Sequence, residues 1–287
     1  LQCSPNAMIQ KIMEIRPIQV NSPVSGVYVF DLGQNMVGHV RIKIKGRPGQ
    51  TVTLRHAEAL NDDGMLYTDN LRKARATDCY ICRGDSGFET FEPSFTFHGF
   101  RFVEVSGLDY QPGLDDIRGI VVHSPMKKTG SFSCSNSLIN QLQHNIEWGQ
   151  RGNYLDIPTD CPQRDERLGW LGDAQVFNAT GCFNFDTAAF LTKWMNDLTD
   201  AQHSDGGFTD FAPEPPVALP GSDKMLADRP GSPAWAEAGI ITAWTVYRHY
   251  GDLRILEKHY AAFSRYIDFL ERDCQNYIGP DRGYGDW

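Results

Sequence analysis

Up to about residue 125 the chain alternates apolar and polar residues in short runs, and beyond residue 130 the period changes. VYVFDLG (27 to 33), GHVRIKIKG (38 to 46), TVTLRHAEAL (51 to 60), ATDCYICRG (76 to 84) and FRFVEVSGL (100 to 108) predict strands, separated by turn clusters such as RPGQ and NDDG. Val40, Ile42 and Ile44 fall on one face of the second run and Arg41, Lys43 and Lys45 on the other, which predicts a strand with one dry side. Several such strands within about 100 residues predict a β-sandwich, assigned to residues 1–128.

From residue 129 the apolar positions recur at helical spacing. Ser135 is a candidate cap for a helix carrying Leu138, Ile139, Leu142 and Ile146. A second helix is expected over about 168–183. Asp186 should cap a third with the stripe Phe190, Leu191, Trp194, Leu198 and Ala201. Two more are expected over about 233–250 and 253–273, broken by Gly251. The Gly/Pro-rich stretch 205–224 fits neither period and is long enough to be functional. Five antiparallel helices would be part of a ring of six helical hairpins, which needs roughly 200 residues more at typical helix lengths. The expectation is therefore a fragment, in which residues 129–287 begin an (α/α)6 barrel. On that reading the stripe of Phe190, Trp194 and Leu198 lacks partners, and the segment alone should be inactive and prone to self-association, which leaves homo-oligomers open.

Composition narrows the classes. Charged residues make up 22% and hydrophobic residues 41%, as in soluble globular proteins, and 36 acidic against 27 basic residues give a net charge of −9. No concentrated basic face is present for nucleic acid, and no run approaches the roughly 18 apolar residues of a membrane span. The opening LQCSPNAM has neither an initiator Met nor a signal pattern, so residues are expected to precede it. Seven scattered cysteines, an odd number, do not form a disulfide framework and point to a reducing, cytoplasmic compartment. The one C-x-x-C, Cys79 to Cys82, has no second pair and is read as structural.

Candidate chemistry concentrates in DIPTDCPQRDERLGWLGDAQ, residues 156 to 175. Pro158 and Pro162 hold the backbone before them out of helix, and a helix can start near Asp165. A continuous helix would put Glu166, Trp170 and Asp173 on one face. Gly169 and Gly172 weaken it, as expected where a ligand or another backbone approaches closely. Carboxylates beside an aromatic wall and a guanidinium suit acetal cleavage: one acid protonates the leaving oxygen and a second carboxylate activates water or attacks the sugar. Capping and ion pairing at a helix start is the bland alternative for any one of these groups.

The same run, together with DLGQNMVGHVRIKIKGRPGQTVTLRHAEAL and FTFHGFRFVEVSGL, resembles the bacterial α-L-rhamnosidases of glycoside hydrolase family 78. The resemblance implies a β-sandwich leading into an (α/α)6 barrel, and hydrolysis of terminal α-L-rhamnose from a glycoside or oligosaccharide with inversion. It implies Glu166 as general acid, Asp160, Arg164, Asp165 and Asp173 as ligands of the rhamnose hydroxyls, and Trp170 as pocket wall. Trp235 and Trp287 match further sugar-contacting aromatics. The family's general base, a downstream glutamate, has no match here; Glu214, Glu237, Glu257 and Glu271 lie in other contexts, with Glu237 the nearest substitute.

No organic cofactor is implied. Asp205, Asp210 and Glu214 could shape the sugar subsite or chelate calcium, but no dense D-x-D-x-D-G pattern is present and no metal site is assigned. His98 is read as a satisfied sandwich histidine, and Trp148, Trp194 and Trp244 as core. The competing functions are an (α/α)6 glycosidase of other sugar preference, a non-catalytic carbohydrate-binding protein, and a structural domain.

Overall fold

The computed structural model describes residues 3–214, 231–276, 278 and 279. The strands are β1 (Gln10–Ile15), β2 (Gln19–Asn21), β3 (Val27–Ile44), β4 (Thr51–Ala57), β5 (Ala59–Leu60), β6 (Leu66–Tyr67), β7 (Thr77–Ile81), β8 (Glu89–Phe91), β9 (His98–Ser106) and β10 (Ile117–His123). Among the described residues, eight of them form one antiparallel sheet in the order β1-β10-β3-β9-β4-β7, with β2 and β8 also on β3. The two runs at 27–33 and 38–46 are a single strand, interrupted where the register shifts between Asp31 and Met36. There the Gly33 N–H turns back to Asp31 Oδ1 at 2.6 Å. β3 then changes partners, from β2 in its first half to β10 and β8 in its second. Val40, Ile42 and Ile44 are fully buried, as the alternation predicts. Cys82 is buried and Cys79 exposed, so the C-x-x-C straddles the strand end.

The buried histidines of the sheet support it. His98 Nε2 donates to Asp78 Oδ2 at 3.0 Å and stacks on His56, ring centroids 4.1 Å apart. Burial drives His56 down to about 3, so the stack carries no charge from that ring near neutrality.

Beyond the sheet come α1 (Ser137–Asn153), a two-stranded ribbon of β11 (Tyr154–Leu155) and β12 (Ile157–Pro158), α2 (Leu171–Asn184), α3 (Ala188–Asp200), α4 (Ala238–Tyr250) and α5 (Leu253–Asp273). Asn136 rather than Ser135 caps α1, its Oδ1 accepting from Leu138 N at 2.9 Å. Thr187 holds the N-cap position of α3, while Asp186 Oδ1 accepts from Ala188 N at 3.2 Å. No helix among the described residues is long and apolar enough to cross a membrane.

The stripe of Phe190, Trp194 and Leu198 is not left without partners: all three are buried in the helical core, because α4 and α5 return across α3. The exposed apolar side chains lie elsewhere, including Leu138 and Leu142 on α1, Val176 and Phe183 on α2, and Ile241 and Trp244 on α4. Trp244, expected in the core, is therefore a surface residue. Trp148 packs against the core of the sheet and Trp194 is buried, as expected.

Candidate active site

The chain leaves β12 as an extended loop, and its ends are tied together by one residue. Asp160 N–H donates to Leu168 O at 3.0 Å, and Asp160 Oδ1 accepts from Leu168 N at 2.9 Å. Residues 161–167 thus form a closed excursion. No helix runs through it: Arg167 has φ +61°, and α2 begins only at Leu171. The expected shared helix face is replaced by a direct bond, Trp170 Nε1 donating to Glu166 Oε1 at 3.0 Å. Asp173 joins them from the first turn of α2.

Both glycines mark close approaches. A Cβ on Gly169 would lie 2.3 Å from the Ala212 carbonyl oxygen, and one on Gly172 would lie 2.9 Å from Trp235 Nε1. Two backbone bonds join this segment to the Gly/Pro-rich loop: Gly169 O accepts from Ala212 N at 3.0 Å, and Leu171 N donates to Asp210 O at 2.8 Å. The described part of that loop therefore braces the backbone behind the site, although none of its residues lines the cavity. The carboxylates of its described part are engaged separately: Asp205 accepts from Gly207 N, Asp210 from Ser232 Oγ, and Glu214 pairs with His203.

The result is a cavity of about 280 Å³ lined by Arg72, Asp160, Cys161, Arg164, Glu166, Trp170, Asp173 and Trp235. That is close to the lower limit of small-ligand pockets, which start at about 300 Å³, and it suits a single sugar ring. Arg164 Nη2 donates to Glu166 Oε2 at 2.8 Å. Asp160, Cys161 and Glu166 each present a polar atom within 4.8 Å of the others. Burial, reinforced by the Glu166 charge, raises the Asp160 carboxyl above its ordinary value. Desolvation and the same charge raise Asp173. Burial and the Asp160 carboxylate push the Cys161 thiol up to about 12, which leaves it protonated and unsuited to nucleophilic attack.

Of the residues predicted for the site, Glu166, Asp160, Arg164, Trp170, Asp173 and Trp235 line this cavity. Asp165 does not: it is exposed, and its Oδ2 accepts from Lys73 N at 3.3 Å, because the loop turns it toward the sheet domain. Trp287 lies outside the described residues. Glu237, the substitute considered for the base, occupies the N-cap position of α4 and does not line the cavity.

Arg72 was not predicted. It comes from the sheet domain, and its Nη1 reaches Glu166 Oε2 at 3.4 Å. Arg167 anchors the same junction, donating to Phe97 O at 2.8 Å with its guanidinium 4.1 Å above the Phe97 ring. The one sequence signal was LRKARA (71 to 76), a basic run in an acidic chain.

The cavity, with its acidic and tryptophan walls, thus lies where the sheet domain meets the helical one. The comparisons give the family. Residues 22–123 match the bacterial alpha-L-rhamnosidase concanavalin-like domain, and residues 127–287 match the bacterial alpha-L-rhamnosidase 6 hairpin glycosidase domain. The chain is 47% identical over 274 residues to an alpha-L-rhamnosidase of Streptomyces avermitilis, covering 96% of this chain and 26% of that protein. An alpha-L-rhamnosidase of Formosa agariphila is 41% identical, with 90% and 27% covered. The structure of the alpha-L-rhamnosidase from Dictyoglumus thermophilum superposes with a TM-score of 0.90 at 45% identity, over 98% of this chain and 30% of that one. This chain belongs to the bacterial α-L-rhamnosidase family. It spans about a quarter of the length of the curated relatives it matches.

Proposed function

We propose that these residues form the acid-bearing side of the active site of a glycoside hydrolase that releases terminal α-L-rhamnose by inverting single displacement. The observation that carries this reading is Glu166, held at both oxygens by Trp170 and Arg164 on the wall of a sugar-sized cavity. Glu166 passes its proton to the departing glycosidic oxygen, and Trp170 and Arg164 fix the carboxyl so that it meets that oxygen in one orientation. Asp160 and Asp173 bind sugar hydroxyls, and Trp170 and Trp235 cover the apolar face of the ring. A solved relative, the Streptomyces avermitilis enzyme, was crystallised complexed with L-rhamnose and superposes with a TM-score of 0.92, which supports rhamnose as the ring bound.

Asp160 is not the base. Its carboxylate oxygen and that of Glu166 lie within 4.8 Å, whereas an inverting pair stands about 6.5 to 9.5 Å apart to admit water. The base is a carboxylate of the whole protein outside this chain, and the five described helices are part of a six-hairpin (α/α)6 barrel that brings it opposite Glu166. No cofactor takes part in this reading.

The test is the first product formed. Proton NMR of the whole protein with an aryl α-L-rhamnoside should show β-L-rhamnose before mutarotation; α-L-rhamnose would mean a covalent intermediate, and no release would remove the activity.

A further inference from the structure

Arg72 sits in backbone that glycine normally fills. Ala74 N–H donates to Leu71 O at 3.0 Å, closing a turn with Arg72 and Lys73 at its tip, and Arg72 has φ +55° and ψ −115°. Those angles are those of the first central residue of a type II′ turn, a position dominated by glycine. An arginine there is strained, and such strain persists only where the surroundings hold it and clusters at ligand sites. Leu71 is buried and roots the turn, and Lys73 N–H docks on Asp165 of the site loop.

The turn stands at the mouth. Arg72 is the one residue lining the cavity from the sheet domain, and its side chain is 55% exposed. One arm of the guanidinium touches Glu166, and the rest of the fork has no partner among the described residues. Lys73 and Arg75 are exposed as well, without carboxylate partners among the described residues. Three exposed cations thus stand on this turn or next to it, of which Arg72 reaches Glu166, in a chain of net charge −9.

We propose that the Leu71–Ala74 turn forms the leaving-group subsite and selects leaving groups that carry a carboxylate, such as a uronic acid, with Arg72 as the specificity residue. This rests on Glu166 being the general acid. The leaving group must lie beside the acid, and on that side the exposed, unpaired donors are those of a planar guanidinium, whose geometry matches a carboxylate.

The experiment compares a rhamnosyl-uronic acid with its uncharged uronamide in the whole protein, reading the ratio of kcat/KM, with a neutral aryl rhamnoside as a separate measure of the site itself. The ratio should favour the acid by about tenfold at low salt, one charge-assisted contact, and shrink as salt screens the exposed cations. Arg72→Gly should remove the preference without lowering the melting temperature, since glycine relieves the turn; Arg72→Lys should keep part of it, and Lys73→Gln should reduce it. A ratio near one in the parent protein, or one unchanged by Arg72→Gly, overturns the proposal even where the aryl rhamnoside is cleaved. Failure to cleave the aryl rhamnoside overturns instead the function on which it rests.

Discussion

Glu89 and Glu166 are both engaged glutamates, one in the sheet domain and one in the site loop, and they are held by different kinds of donor. Glu89 takes the Tyr80 hydroxyl at 2.6 Å and the backbone N–H groups of Arg83, Gly84 and Asp85 at 2.9, 2.8 and 3.2 Å. These bonds, the Tyr80 hydroxyl foremost, hold it down to about 2, a permanent anion locked to main chain. Glu166 is held by side chains, those of Arg72, Arg164 and Trp170, and faces open space beside carboxylates of its own sign. Backbone donors make a carboxylate part of the framework. Side-chain donors orient one while leaving it free to meet a ligand and to exchange a proton.

The sharpest way to break this contrast acts on the loop's position. Gly169→Ala forces the Ala212 carbonyl and the site loop apart, and displacement of about 1 Å can cost on the order of a hundredfold in rate. We expect kcat/KM on an aryl rhamnoside to fall by about that factor and the melting temperature to fall by several degrees, because a backbone carbonyl must yield, as steady-state kinetics and calorimetry would show; unchanged kinetics would mean that the site does not depend on this contact.

Next comes Glu89→Gln, which puts an amide among backbone donors and leaves at least one N–H unsatisfied. The whole protein should melt several degrees lower at neutral pH. Because the folded-state value is depressed, the anion's contribution is complete above the unfolded value of about 4.3 and disappears as pH falls through about 2. The gap between the two proteins should therefore close in acid.

Asp160→Asn should give a smaller effect of opposite sign. The folded-state value is raised, so ionised Asp160 costs stability above it, and that cost fades as pH falls toward the unfolded value of about 3.9. Asparagine can keep the bond from Leu168 N, so the melting temperature should rise by about a degree or two near neutrality while kcat/KM falls. A lower melting temperature would place Asp160 with Glu89, as framework.

The same contrast governs how much was legible in the sequence. Alternation in GHVRIKIKG identified the dry face of β3, because one residue's burial there depends on its nearest neighbours in a regular pleat. Helical spacing located α3 and α5, although it could not show that α4 and α5 cover Phe190, Trp194 and Leu198. In the site, residue types and family resemblance singled out Glu166, Asp160, Arg164, Asp173, Trp170 and Trp235, which line one cavity. Their arrangement was read wrongly as a helix face, since nothing local announces the positive φ of Arg167 that ends the excursion. Arg72 was marked only by the basic run LRKARA, and its role was not legible: it meets Glu166 across 94 positions of sequence, through a turn whose strain is visible only in three dimensions.

The central claim is that Glu166 delivers the proton, and the dependence of rate on leaving group measures it most directly. In the whole protein, rhamnosides of graded leaving-group pKa should be cleaved at rates that vary little with that pKa, because the acid compensates for poor leaving groups. Glu166→Gln should make the dependence steep, losing several orders of magnitude on poor leaving groups and far less on activated aryl ones. Parallel lines, with equal loss on every substrate, would contradict the account and leave Glu166 as a binding residue.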